Sequence, residues 1–172
     1  KGSKATYNGD GNVLELPVGS AIIKTFYYDN VQPSNTTRII ETRIMIRKST
    51  GWIFAEYIWN EAQTEATLDM TGSYTNVEFI NENGDALNIN YRIPSETECL
   101  TCHKRNNQPI PIGIKPQSLN FEYNYGTETK NQLQKWIQNG ILNRIISMRS
   151  AKNTETNTNA PEKKPTEFRR KK

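Results

Sequence analysis

The 172-residue sequence predicts an α+β fold, in which a β-rich N-terminal part of hairpins, sandwich- or barrel-like, precedes a small helical part. Two observations predict it. From residue 11 to about residue 92, segments rich in β-branched and aromatic side chains recur with stretches of alternation, as in strands. After Pro94 come a helix-start signal, a proline-rich loop and a segment with helical apolar spacing. The length fits one domain.

Strands are predicted at residues 20–28, 37–48 and 51–59, where β-branched and aromatic residues dominate. The second strand alternates between two sides: Ile40, Thr42, Ile44 and Ile46 against Ile39, Glu41, Arg43 and Met45. Because Ser49-Thr50-Gly51 is a short turn segment, the second and third strands are expected to form a hairpin. A second hairpin is predicted from residues 74–80 to 86–93, since Asn83-Gly84 tolerates the positive φ of a tight turn.

The helical part begins at Ser95. Ser95 and Glu98 have the spacing of a capping box, so a short helix is expected to start there and to carry Cys99, Cys102 and His103. These are the only two cysteines and the only histidine of the chain.

A loop and a second helix are predicted after the motif. Residues 105–117 contain three prolines and one glycine and are expected to be irregular. Thr127 or Thr129 can cap a helix over residues 131–148, which Gly140 divides as a C-cap. One face of this helix carries three apolar residues at i, i+3 and i+4: Leu133, Trp136 and Ile137.

The chain is therefore divided into an N-terminal extension at 1–15, a β-rich region at 16–93, a helical region at 94–148 and a tail at 149–172. The tail holds eight Lys and Arg against three Asp and Glu, which leaves 14 basic and 15 acidic residues in the body. A nearly neutral body without a basic aromatic face argues against nucleic-acid binding. The tail is expected to be solvated and flexible, or to dock an acidic partner or anionic surface.

No apolar run approaches the length of a membrane span, and no signal segment opens the chain. Because the chain begins with Lys rather than Met, a processed secreted protein is expected, with a lipid anchor in the precursor as an option.

The motif Cys99-x-x-Cys102-His103 indicates covalent attachment of one haem c. Two thiols three residues apart on one helical turn reach the two vinyl groups of a porphyrin, and the following histidine supplies the proximal iron ligand. The alternatives are a zinc site, which needs further ligands; a thioredoxin-like dithiol, which needs a βαβ context; and a structural disulfide or two free thiols with a chance histidine.

Several blocks around the motif add a resemblance. They are PVGSAIIKTFYY, RIIETRIMIR, GWIFAEYIWNEAQTEATL, NYRIPSETECLTCH, PIGIKPQSLN and NQLQKWIQNGIL. From about Leu16 to Leu142 the chain resembles a family of bacterial secreted haem-c proteins, in which a β-rich region precedes CxxCH.

The resemblance implies a cytochrome c-like helical part and a monohaem cytochrome that passes single electrons between periplasmic, cell-surface or outer-membrane partners. Alternatives are a haem-c sensor or gas-binding protein with an open distal site, and a cytochrome module of a larger dehydrogenase. Cys99, Cys102 and His103 carry over directly, and the blocks around Trp59-Asn60 and Leu119-Asn120 carry over as haem-pocket wall. No catalytic residue is expected.

The sixth iron ligand is not obvious, because residues 104–127 contain no Met. Met70, beside a glycine-containing turn, is the first choice, with Met45 and Met148 as alternatives; Lys115, a tyrosine or an open site also remain. On the proximal side, the proline-rich loop is expected to place a backbone carbonyl near the His103 ring.

Two further predictions concern aromatic and acidic side chains outside the motif. Four aromatic residues are candidates for the haem wall, with Trp136 preferred, although ordinary core positions explain them as well: Trp52, Tyr57, Trp59 and Trp136. Glu56, Glu61 and Glu65 are expected on a solvated face, because nothing pairs them with a nucleophile or a metal.

Overall fold

Six antiparallel strands form the main sheet of the computed structural model, which describes residues 2–9 and 11–143. They are β1 (Ala21–Val31), β2 (Thr36–Lys48), β3 (Gly51–Trp59), β4 (Ala66–Leu68), β5 (Ser73–Ile80) and β6 (Ala86–Ile93). The spatial order is β4-β3-β2-β1-β5-β6. The β-rich character and both predicted hairpins, β2–β3 and β5–β6, are confirmed. In the described residues the six strands make one sheet rather than two stacked sheets.

The β5–β6 turn forms where the Asn-Gly pair predicts it. Gly84 has φ +87°, a value that L side chains rarely adopt, and the Asn81 side chain accepts hydrogen bonds from the backbone N–H groups of Asn83 and Asp85. The turn chemistry therefore fixes the register of this hairpin, from Ser73 opposite Ile93 to Ile80 opposite Ala86.

The sheet is curled. β2 and β6 are separated by β1 and β5, so in a flat sheet they would lie about 14 Å apart. The Tyr91 hydroxyl on β6 nevertheless donates to Glu41 Oε1 on β2 at 2.6 Å. The curl gives the sheet a concave inner face, which we define by Phe26, Glu41, Arg43, Met45, Phe54 and Glu56. It also gives a convex outer face, defined by Ile23, Thr42, Ile44, Ile46, Ile53 and Trp59.

The inner face of β2 owes its position to a bulge. Phe26 pairs with Glu41 but Tyr27 pairs with Ile39, so Ile40 is an extra residue in the ladder. Two successive residues, Ile40 at 2% exposure and Glu41 at 0%, are consequently both buried. Beyond the bulge the strand alternates normally.

The apolar part of the inner face is formed mainly near β5 and β6. Its buried members are Val31, Ile40, Val77 and Ile93, and partly buried residues such as Tyr28, Phe79 and Ile89 pack around them. Burial of these side chains supplies the hydrophobic stabilisation of the sheet.

The C-terminal part mixes short helices with short hairpins instead of forming a helical unit. It contains α1 (Glu96–Cys102), β7 (Lys104–Arg105), β8 (Gln108–Pro109), α2 (Pro116–Leu119), β9 (Glu122–Asn124), β10 (Thr129–Asn131) and α3 (Gln132–Gln138). The helical character predicted for residues 94–148 is thus limited to three short helices in the described residues.

The last helix differs in its limits from the prediction. Asn131 caps α3 by accepting from the backbone N–H groups of Leu133 and Gln134, so the cap is neither Thr127 nor Thr129. The helix ends at Gln138 and is followed by Gly140 at φ +71°, as expected for a helix-terminating glycine. Residues 144–148 of the predicted helix lie outside the described residues, and so does the tail.

A second core joins the two ends of the described chain. Its buried members are Ala5, Leu14, Leu119, Leu133 and Leu142. Residues predicted as an N-terminal extension therefore pack against the C-terminal helices. None of the helices in the described ranges has the length and apolarity that a bilayer span requires.

Candidate functional site

The motif helix α1 is held at its start by the predicted capping box. Ser95 Oγ accepts from the Glu98 backbone N–H at 3.4 Å, and the Glu98 carboxylate accepts from the Ser95 N–H at 2.7 Å, which confirms the capping prediction. Arg92 on β6 also donates to Glu98 at 2.7 Å. Hydrogen bonds from Arg92 and from Ser95 lower the pKa of Glu98 to about 2. The helix is therefore tied to the end of the sheet.

The segment that links β4 to β5 packs against the same helix start. The Glu96 N–H donates to the Met70 carbonyl oxygen at 3.1 Å. Gly72 has φ +79°, and a Cβ on it would lie 2.7 Å from the Ser95 nitrogen. Only glycine fits this close approach. Met70 therefore lies at the N-terminal end of α1.

His103, at the C-terminal end of α1, has an assignable tautomer. Its Nδ1 lies 3.0 Å from the backbone carbonyl oxygen of Ile110. A carbonyl oxygen can only accept, so Nδ1 carries a hydrogen, and in the neutral ring the lone pair is on Nε2. The loop carbonyl expected beside the His103 ring is thus supplied by Ile110.

The Ile110 carbonyl reaches the ring because residues 104–109 form a hairpin. Asn106 and Asn107 have φ of 48° and 62°, which is the geometry of a two-residue type I′ turn between β7 and β8. In register with it, the Ile110 N–H donates to the His103 carbonyl oxygen at 2.9 Å. The prediction of an irregular loop over 105–117 is wrong at its start, and the Asn-Asn pair was the signal for this turn.

The His103 ring packs on the inner face of the sheet. The Phe54 ring meets it edge to face, with 5.6 Å between centroids. Phe54 pairs across the strands with Met45, which is 8% exposed. Cross-strand partners point to the same face, so Met45 lies on the side of the sheet that His103 contacts.

The two cysteines occupy different environments. Cys99 is half-buried, Cys102 is exposed and both thiols are free. Burial raises the pKa of the Cys99 thiol, with a lowering effect from the charge of Arg43 and a raising effect from that of Glu56. Cys99 thus lies within electrostatic reach of charged residues on the inner face.

Those charged residues form one cluster around Arg43. It contains two carboxyl groups, Glu41 and Glu56, which we call the carboxyl pair. Arg43 donates to both Glu41 oxygens, from Nε at 3.0 Å and from Nη2 at 2.5 Å. Its Nε also reaches Glu56 Oε1 at 3.2 Å. The guanidinium stacks on the Phe26 ring at 4.2 Å.

The two carboxyl groups titrate differently. Burial is the largest of the effects that raise the pKa of Glu56 to about 8; the proximity of Glu41 also raises this pKa, and Arg43 lowers it. For Glu41, burial raises the pKa, but hydrogen bonds from Glu56, Arg43 and Tyr91 outweigh it, and the net pKa is lowered. The directions of the two shifts favour an ionised Glu41 and a protonated Glu56.

The expectation that Glu56 lies on a solvated face is wrong. Glu56 is 3% exposed, because it lies on the inner face opposite Arg43. Glu61 and Glu65 are exposed, as expected.

The predicted wall residues are separated from the motif to different degrees. Trp59 lies on the outer face, where its Nε1 donates to Thr42 Oγ1 at 3.0 Å, on the opposite side of the sheet from His103. Leu119 and Trp136 meet in the second core instead. Tyr57 shares the outer face with Trp59, and Met148 lies outside the described residues.

Trp52 lies close to the loop whose Ile110 carbonyl contacts the His103 ring. It is the inner-face neighbour of Phe54 along β3 and lines a cleft of about 470 Å³. Pro109, Ile110 and Pro111 also line this cleft.

In residues 2–9 and 11–143, no group of three or more His, Cys, Asp or Glu side chains is arranged to hold a metal ion. Cys99, Cys102 and His103 are therefore not arranged as three ligands of one metal ion in these residues. Comparison with protein-family models, with curated proteins and with solved structures gives no match to this chain.

Proposed function

We propose that this chain is a monohaem c-type cytochrome that transfers single electrons between protein partners, and that it is similar to the secreted bacterial haem-c family. The observation that carries the proposal is the state of His103. Its Nδ1–H donates to the Ile110 carbonyl oxygen, so that in the neutral ring the lone pair for a metal is on Nε2. Carbonyl hydrogen bonds of this kind orient metal-bound histidines and increase their basicity.

The residues present suit a covalently bound haem. Cys99 and Cys102 are free and lie one helical turn apart on α1, directly before His103. When bound, a haem supplies reversible one-electron chemistry at its iron. The chain's own contribution is to anchor it through two thioethers, to orient His103 and to shield one side with the inner face.

The geometry favours Met45 over Met70 among the described methionines as a sixth ligand. Met70 is fixed by its backbone at Glu96, seven residues before His103, which is about 10 Å along a helix. Met45 lies beside Phe54, which touches the His103 ring.

Spectroscopy and mass spectrometry test the proposal. Expressed with a c-type maturation system, the full chain should gain the mass of one haem and show c-type bands in a reduced-minus-oxidised spectrum. Cys99→Ser combined with Cys102→Ser should abolish covalent attachment, whereas the exposed control Ser118→Ala should not. Failure of the wild-type chain to bind haem under these conditions would contradict the proposal.

The same spectra distinguish the candidate ligands. Loss of the long-wavelength band of Met-ligated ferric haem in Met45→Leu, but not in Met70→Leu, is expected. The opposite result would restore Met70.

A gas-binding or sensing protein is the second candidate. It is favoured by the position of Met70 at the far end of α1 and by the absence of Met from residues 104–127. Rapid binding of carbon monoxide to the reduced wild-type chain, without a Met-ligation band in the oxidised form, would select it. A module of a larger dehydrogenase would show the same spectra as a free carrier but would need its enzyme partner for reduction.

The proposed setting is the periplasm or the cell surface, with redox proteins as partners. The charge of the tail at 149–172 would attract an acidic partner, in which case binding should weaken as salt is raised.

A further inference from the structure

If both groups of the carboxyl pair were ionised, their two negative charges would exceed the single positive charge of Arg43. Glu41 is 0% exposed and Glu56 3% exposed, and one guanidinium lies between them. Ionisation of both groups would leave one buried negative charge without a partner, which is costly. The pair therefore favours holding one proton.

The hydrogen bonds show where that proton lies. Glu41 already accepts three hydrogen bonds, two from Arg43 and one from the Tyr91 hydroxyl. Glu56 shares only the Nε–H of Arg43. Glu56, with fewer donors, is the group that holds this proton.

The pair lies on the inner face close to the motif, because Glu56 is the inner-face neighbour of Phe54 along β3 and the Phe54 ring contacts the His103 ring. The charges of Arg43, Glu56 and Glu41 all act on the Cys99 thiol, which is one of the two anchoring positions. A charge that changes at a haem held by Cys99 will therefore act on Glu56 through a poorly solvated region, where electrostatic interactions are weakly screened.

Resting on the proposed function, we propose that Glu56 binds a proton when the haem attached beside it is reduced and releases the proton when the haem is oxidised. The step balances: one electron enters from a one-electron donor protein, and one proton from solvent joins the Glu56 carboxylate. Arg43, whose side chain is 24% exposed, connects the pair to solvent.

Other charged groups around the pair set the pH range of this uptake. They are Glu41 and Arg43 on β2, Tyr91 on β6 and Lys24 beside the Phe26 ring on β1; on α1, Cys99 interacts with the pair and with Glu98. Oxidised haem carries an additional positive charge, which lowers the pKa of Glu56; reduction removes that charge and raises the pKa again. Uptake occurs between these two values.

The experiment is a redox titration of the haem-loaded full chain from pH 5 to pH 10, followed by absorbance. In wild type, the ratio of oxidised to reduced haem at fixed potential should change by up to tenfold per pH unit within one interval. Glu56→Gln, which stays neutral, should flatten that interval. Glu61→Gln removes an exposed carboxylate outside the pair and should keep the wild-type profile.

Two further measurements keep the test decisive if Glu56→Gln does not fold. Reduction of the wild-type chain in weakly buffered solution should take up to one proton per haem, and Tyr91→Phe should move the interval to higher pH because Glu41 loses a donor. A wild-type profile without pH dependence, or one unchanged in Glu56→Gln, overturns the inference while the cytochrome assignment stands. Absence of c-type bands overturns the cytochrome assignment and the inference with it.

Discussion

The two faces of strands β1 to β3 reverse the usual arrangement of polar and apolar side chains. The outer face carries Ile23 at 65% exposure and Ile53 at 43%, whereas the inner face buries Glu41 and Glu56. Apolar residues on a surface are common, but buried charges are not, and they require specific partners. The comparison shows that the inner face both packs against the motif, through Phe54 and His103, and holds the buried carboxyl groups of Glu41 and Glu56.

Removal of Arg43 should have the largest effect on stability. Arg43→Met keeps much of the side-chain volume but leaves Glu41 buried without its guanidinium, and loss of one partner of a buried ion pair costs about 3–5 kcal/mol. Urea unfolding measures the change. Arg92→Met, which breaks the exposed pair with Glu98, is the control and should cost much less. Equal losses in the two variants would mean that the cluster contributes no more than a surface pair.

A matched pair of isoleucines comes next. Ile93→Ala removes a side chain that is 1% exposed and should cost about 2–5 kcal/mol, because it leaves a cavity in the inner face. Ile23→Ala removes a side chain from the outer face and should change stability by about 0.5 kcal/mol or less. A large loss in Ile23→Ala would show that the outer face is covered in the folded protein in solution.

These pairs also show how far the sequence could predict the fold. The strands and turns could be predicted, because alternation of side chains and the Asn83-Gly84 turn signal involve only a few neighbouring residues. Which face points inward did not follow. On strand β2 the side with Thr42, Ile44 and Ile46 is more apolar, and pattern alone would assign it to the core. The curl of the sheet and the bulge at Ile40 decide otherwise, and both depend on contacts distant in sequence.

The candidate site divides in the same way. The motif at Cys99, Cys102 and His103 and the cap at Ser95 are short-range patterns and were visible in the sequence. The proline-rich loop predicted a carbonyl beside His103, but the sequence did not show that Ile110 supplies it. The cluster at Arg43 was not predicted either, since Arg43 lies 56 positions before Cys99. Trp59 was assigned to the pocket from a sequence block, but strand alternation places it on the outer face.

The pH dependence of stability tests the inner face directly. The pKa of Glu56 is raised in the folded state to about 8, from 4.5, so the folded state binds its proton more tightly than the unfolded state. The stabilisation is fully present below about pH 4.5 and is lost as pH rises to about 8, at up to about 1.4 kcal/mol per pH unit. Urea unfolding of the haem-free chain between pH 5 and pH 8 measures the slope.

Glu56→Gln should flatten that slope, whereas Glu65→Gln, an exposed substitution, should retain it. Glu41 contributes with the opposite sign. Because its folded pKa is lowered, its stabilisation is present above its unfolded pKa and is lost as the pH falls through the folded value. A stability that rises between pH 5 and pH 8 would contradict the assignment of the proton to Glu56.

The smallest expected effect belongs to the outer face and tests its separation from the motif. Trp59→Phe removes the hydrogen bond from Nε1 to Thr42 Oγ1 and should cost about 0.5–1.5 kcal/mol in urea unfolding. Because Trp59 lies on the opposite side of the sheet from His103, the reduced-minus-oxidised spectrum of the haem-loaded chain should not change. Phe54→Leu is the inner-face counterpart and should shift the bands or the midpoint potential, since the Phe54 ring contacts His103. A spectral change in Trp59→Phe, with none in Phe54→Leu, would place the haem against the outer face.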